Sequence, residues 1–97
     1  MPQYDVHWLG DQLVLDCQSN FVDMFESRLT VPLLPLAEAP EAVRRLMPTF
    51  AVDGGRVVMA TPLAAAVQRR ELGRIVTSLA AHRDEISAAL DFLLTGF

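Results

Sequence analysis

Residues 79–97 read Leu-Ala-Ala-His-Arg-Asp-Glu-Ile-Ser-Ala-Ala-Leu-Asp-Phe-Leu-Leu-Thr-Gly-Phe. This is the clearest helix in the chain. At about 100° per residue, Leu79, Ile86, Ala89, Leu90, Leu93 and Phe97 share one face, with Asp84, Ser87 and Asp91 opposite. Ala88 and Phe92 widen the apolar arc beyond what one packing surface needs. A helix apolar over so wide an arc is expected to have a second partner, from its own domain or from another chain. Gly96 stands where a helix would end, and the bulky Phe97 follows it.

Upstream, the pattern changes from helical to alternating. Residues 3–8 place Tyr4, Val6 and Trp8 on one face of a strand. Gly10-Asp11 is a turn signal. Residues 12–18 continue as a second strand with Leu13, Leu15 and Cys17 inward, so the two form a hairpin. Residues 19–27 break the alternation, and Phe21, Val22, Met24 and Phe25 fall in a loop. There they cap an open barrel end, form a contact patch, or do both. Residues 28–34 are a third strand. Pro32 cannot donate to a ladder, so this segment lies at an edge or changes sheet there.

Pro35 and Pro40 frame a linker, and Glu41 to Met47 reads as a helical turn or a connector. Asp53-Gly54-Gly55 between Thr49–Val52 and Arg56–Thr61 is the strongest hairpin signal, because glycine supplies positive φ. Residues 63–76 favour helix by local propensity, with Gly73 interrupting. Five or so short strands followed by a long helix indicate an α+β fold, the helix packed on a small sheet or barrel.

The chain has 97 residues, enough for one small domain, and 52% of them are hydrophobic. No apolar run reaches the roughly 18 residues of a membrane span. The N-terminus lacks the basic start and apolar block of a signal peptide. A single cysteine excludes an intramolecular disulfide and fits a reducing cytosol. Net charge is −4, and all eight basic residues are Arg. Direct nucleic-acid binding normally uses a basic surface, which this balance does not supply.

No catalytic constellation appears. His7 is expected on the solvent face of strand one, and His82 as a packing or capping residue at the helix start. Neither has a Glu or Cys at metal-ligand spacing, so no metal and no cofactor are expected. Cys17 alternates with core residues and reads as a small buried hydrophobe. Arg44-Arg45 and Arg69-Arg70 read as solvated faces, although paired arginines also suit an acidic partner segment. A ribonuclease would need charged or hydrogen-bonding side chains clustered in one groove. Two separated histidines and an acidic balance argue against it. Elimination therefore points to binding, not to chemistry.

Several blocks then carry a resemblance. Gln18-Ser19-Asn20-Phe21-Val22-Asp23, Leu29-Thr30-Val31-Pro32-Leu33, Met59-Ala60-Thr61, Glu71-Leu72-Gly73, the run Ser78 to Ile86 and the final Gly96-Phe97 together resemble the CcdB family, toxins of bacterial toxin–antitoxin modules. The resemblance covers essentially the whole chain, 1–97, as a single domain. It implies an SH3-like antiparallel β-barrel with a long C-terminal α-helix, and a homodimer with the helices near its interface. It also implies that Val67 to Leu72 is strand, against the local propensity.

Functionally, the resemblance implies a cytoplasmic toxin that binds the A subunit of DNA gyrase and traps the cleaved-DNA complex. A CcdA-like antitoxin would neutralise it, and the toxin would reach DNA only through that antitoxin, as co-repressor. No membrane partner is implied. Carried over residue by residue, the gyrase-binding positions are Phe21, Val22, Asp91, Leu94, Thr95, Gly96 and Phe97. Asp91 stands where the family has Asn, and Thr95 where the best-known toxin has a Trp that stacks on a gyrase arginine. A desolvated cation–π contact contributes up to about 2 kcal/mol. Truncating a central aromatic anchor costs about 2 kcal/mol or more, on the order of 30-fold in affinity. The alternative is a non-toxic CcdB-like homodimer that binds antitoxin but not gyrase.

Overall fold

The structure, a computed structural model, describes residues 2–39 and 45–96. Both hairpins expected from turn chemistry are present. The first joins β1 (Asp5–Leu9) to β2 (Gln12–Asp16) across Leu9 and Gln12, with Gly10 at φ 62°. The second joins β4 (Thr49–Val52) to β5 (Gly55–Met59) across Val52 and Gly55. Its two central residues, Asp53 (φ 52°) and Gly54 (φ 83°), are both left-handed, as a two-residue hairpin whose twist matches the strands demands.

Between these hairpins runs β3 (Ser27–Pro35), nine residues long. One side of it pairs with β2. The other side is shared: residues 27–30 pair with β6 (Ala65–Gln68) and residues 33–35 with β5. Pro32 falls where the partner changes, so its missing N–H interrupts neither ladder. β3 is thus central, and the expected change of sheet partner at Pro32 holds. All pairings are antiparallel, in the order β4-β5-β3-β2-β1-β7 with β6 attached to β3. The sheet curls into a half-barrel, and one C-terminal helix, α1 (Arg83–Thr95), completes an α+β fold.

Residues 63–76 are not a helix. They form β6, a 3-10 turn over Arg69–Glu71, and the start of β7 (Ile75–Ser78). The strand implied by resemblance is real but lies a few residues earlier than Val67 to Leu72. Pairing with β3 overrides the helical preference of the alanines and glutamine. β7 pairs with β1 through a bulge between Val6 and His7 and has no counterpart among the expected strands. Four residues, none of them fully buried, leave too short a pattern to recognise. Gly73 explains its own interruption. Its N–H donates to the Trp8 carbonyl at 2.6 Å, and a Cβ there would lie 3.0 Å from that same oxygen.

Cross-strand register places Val6, Leu15, Val31 and Leu33 on one face of the sheet. They are buried together with Cys17, Phe50, Val52, Val57 and Met59. Leu79, Ile86 and Ala89 seal this core from the helix side. Full burial of a side chain such as Ile86 contributes about 1.5–3 kcal/mol. The helix itself begins later than its pattern suggests, because Ala80–His82 is a 3-10 turn. It ends as expected, at Gly96 with φ 80°, whose N–H donates to the Phe92 carbonyl.

The second face of β1, β2 and β3 is also buried, and it is polar. His7, Val14, Asp16, Arg28 and Thr30 share it, each at most 2% exposed. The alternation of strand one puts His7 in solvent; the structure does not. Its Nδ1 lies 3.1 Å from the Gly73 carbonyl, because the crossing segment before β7 covers it, and its Nε2 has no partner among the described residues. Arg28 is the largest fully buried side chain, and its guanidinium meets Asp16 Oδ2 at 2.8 Å, with both side chains fully buried. Removing one member of such a pair strands the other charge, which costs about 3–5 kcal/mol. Arg28→Leu is therefore expected to lower the urea midpoint by that much stability at unchanged slope. Replacing Asp16 by Leu in the same chain should recover part of the loss.

Candidate functional site

Two exposed patches contain the described residues among those selected from sequence. The first follows β2. Ser19 Oγ accepts from the Phe21 N–H at 3.1 Å and starts a 3-10 turn, Asn20–Val22. Gln18 braces the turn from both sides: its Nε2 donates to the Val22 carbonyl and its Oε1 accepts from the Leu29 N–H, each at 2.9 Å. The side chains carried here do not cap the barrel. Phe21 is 92% exposed, Met24 71% and Phe25 56%, with Val22 also exposed. Of the readings of this loop, exposure therefore rules out the barrel cap.

Charge holds the loop. Arg28 Nη1 donates to Asp23 Oδ1 at 2.7 Å and Nη2 approaches the Gln18 carbonyl at 3.4 Å. Arg69, from the turn after β6, donates to the Asp23 and Phe25 carbonyls and lies 3.3 Å from Asp23 Oδ1. Its own N–H donates to the Glu26 carbonyl at 2.6 Å. Arg69 is thus no solvated-face residue, whereas Arg70 is exposed. Sequence reasoning missed this network. Local alternation offered no signal for it: Arg28 shares the parity of Thr30 and Pro32, opposite Leu29, Val31 and Leu33, and its burial follows from what covers that second face.

The second patch is the end of α1. Asp91, Leu94, Thr95 and Gly96 are all exposed, Leu94 at 78%. Thr95 Oγ1 turns back to the Asp91 carbonyl at 2.7 Å, so its hydroxyl is engaged by its own helix. Phe97 lies outside the described residues, as do Pro40, Arg44 and most of the connector expected at Glu41 to Met47. No hydrogen bond, ion pair or ring contact among the described residues joins Phe21 or Val22 to Asp91–Gly96. Part of the wide apolar arc is covered within the chain, since the Arg45 guanidinium sits 4.9 Å above the half-buried Phe92 ring. Beside it, a depression of about 240 Å³ is lined by Arg45, Pro48, Glu85 and Ala88.

Chemical groups are sparse. Burial, reinforced by the Asp16 charge, pushes the Cys17 thiol up to about 12, so it stays protonated at neutral pH and is a poor nucleophile. The His82 ring packs against Phe50 at 5.1 Å and faces Glu85 at 3.5 Å, without making a side-chain cap bond. Among the described residues no group of three or more His, Cys, Asp or Glu is placed to hold a metal ion. No described helix is long and apolar enough to cross a membrane. A family model described as CcdB protein matches residues 3–96. A search of curated proteins finds no match.

Asp23 makes the loop sensitive to acid. Burial pushes its carboxyl up, but the positive charge around it, including the Arg69 and Arg28 guanidiniums, outweighs this and holds it below its ordinary 3.8. A carboxylate depressed in the folded state stabilises the fold above its unfolded pKa, and that contribution disappears as pH falls through the folded pKa. The urea midpoint should therefore drop as pH is lowered below about 4. Asp23→Asn should start lower at pH 7 and fall less across the same interval.

Proposed function

The chain belongs to the CcdB family, and on that premise we propose that it is the toxin of a toxin–antitoxin module whose target is the A subunit of DNA gyrase. The observation that carries the reading is the family match across residues 3–96. The exposure of Phe21, Val22 and Leu94 supports it, because large apolar side chains held in water at defined positions suit protein contact. The toxin acts by binding, not by chemistry of its own. Phe21, Val22, Asp91, Leu94, Thr95, Gly96 and Phe97 form the contact set, and the chain works as a cytoplasmic homodimer. Leu90, half-buried, and Leu93, exposed, offer apolar helix surface to the partner protomer. A CcdA-like antitoxin neutralises the dimer and carries it to operator DNA as co-repressor.

Expression of the chain without antitoxin in a gyrase-bearing bacterial host tests this reading. Growth arrest with accumulation of gyrase–cleaved-DNA complexes is expected. Unimpaired growth with no trapped complexes would sink the proposal.

A second reading is favoured by Thr95: a homodimer that binds antitoxin but not gyrase. The hydroxyl bonded back to the Asp91 carbonyl offers no aromatic face to a guanidinium. Under this reading Thr95→Trp should gain on the order of 30-fold in affinity for the gyrase A subunit. An unchanged affinity would show that residue 95 is not what limits binding.

A further inference from the structure

We propose that Arg69 is a positioning residue for the loop at 20–25, and that Met24 and Phe25 belong to its contact face together with Phe21 and Val22. The identity of the partner rests on the gyrase reading above; the clamp itself does not.

Three large apolar side chains at the tip of a loop lose hydrophobic free energy by staying in water, and an unrestrained loop would fold them against the barrel. This loop is restrained along its length. Ser19 and Gln18 hold the Phe21 N–H and the Val22 carbonyl. Arg28 holds the Asp23 carboxylate from the buried face of the sheet. Arg69 holds the Asp23 and Phe25 carbonyls, while its own N–H reaches the Glu26 carbonyl. The residues that carry Phe21, Met24 and Phe25 outward are therefore each adjacent to a backbone group fixed from elsewhere.

Arg69 contributes the long-range part. It lies 46 residues from Asp23 in sequence and is brought there by the pairing of β6 with β3, in which Ser27 faces Gln68. A planar guanidinium reaches several oxygens at once, which an ammonium does not reproduce. A loop already ordered avoids the entropy of ordering on association, so the clamp raises affinity without touching the partner. Phe and Met suit the tip for different reasons. An aromatic ring anchors in a pocket, and an unbranched thioether adapts to irregular surface.

Three variants read the proposal, with the purified gyrase A subunit as probe and amide hydrogen exchange as the independent measure. Arg69→Gln should speed exchange within residues 20–26 while leaving the barrel strands unchanged, and should weaken binding roughly tenfold. Arg69→Lys should fall between it and the parent chain. The double variant Met24→Ala with Phe25→Ala should keep the parent melting temperature, because both side chains are exposed, yet lose on the order of 30-fold in affinity. Unchanged exchange in Arg69→Gln overturns the clamp. Unchanged affinity in the Met24→Ala, Phe25→Ala variant overturns the extended contact face. If the parent chain fails to bind gyrase while Arg69→Gln still accelerates exchange, the gyrase reading and the contact face fall and the clamp stands.

Discussion

The ion pair between Arg28 and Asp16, both fully buried, is the constraint from which the rest of the arrangement follows. Neither charge tolerates burial alone, since desolvation outweighs any contact that leaves a partner missing. The pair therefore locks β3 against β2 in one register. A slip by one residue would turn Arg28 to the face of Val31 and Leu33 and bring Leu29 onto the polar face. Replacement by apolar residues could stabilise the same strands, so the pair is better understood as a device of specificity than of net stability. What it specifies is where the loop between β2 and β3 begins and ends.

From that fixed base the network extends outward. Arg28 reaches past Asp16 to Asp23, and Asp23 is met from the other side by Arg69. The polarity gradient runs from a fully buried pair, through a half-exposed carboxylate, to a loop tip that is apolar and wet. This inverts the usual order, with ions inside and hydrophobic groups outside. It is sustainable because the buried Arg28 and Asp16 charges are paired, while the exposed side chains lose only the modest burial energy of a few residues.

The helix divides its apolar surface differently. Ile86 and Ala89 are committed to the core, and Phe92 is partly covered by Arg45. Leu93 and Leu94 stay exposed at its end. Gly96 in the left-handed conformation stops the helix one residue after Thr95, so the terminal turn is displayed, not continued. The two displayed patches thus differ in how they are held, one by an ion network and one by a helix end.

The sequence by itself determined the elements whose signals are local. Both tight hairpins, the strand alternation of β1 and β2, the role of Pro32, the buried thiol and the glycine-terminated helix were legible, because φ restrictions and side-chain periodicity act within a few residues. So was the family, through blocks distributed along the chain. Only the tertiary structure decided the rest. Residues 65–68 became strand because β3 offered them a ladder, against their own propensity. His7 became buried because the segment before β7 crosses it. Asp23 and Arg69, 46 residues apart, became partners because β6 docks beside β3. Interactions of that span depend on where the sheet closes, and no local pattern encodes the position of a partner that distant in the chain.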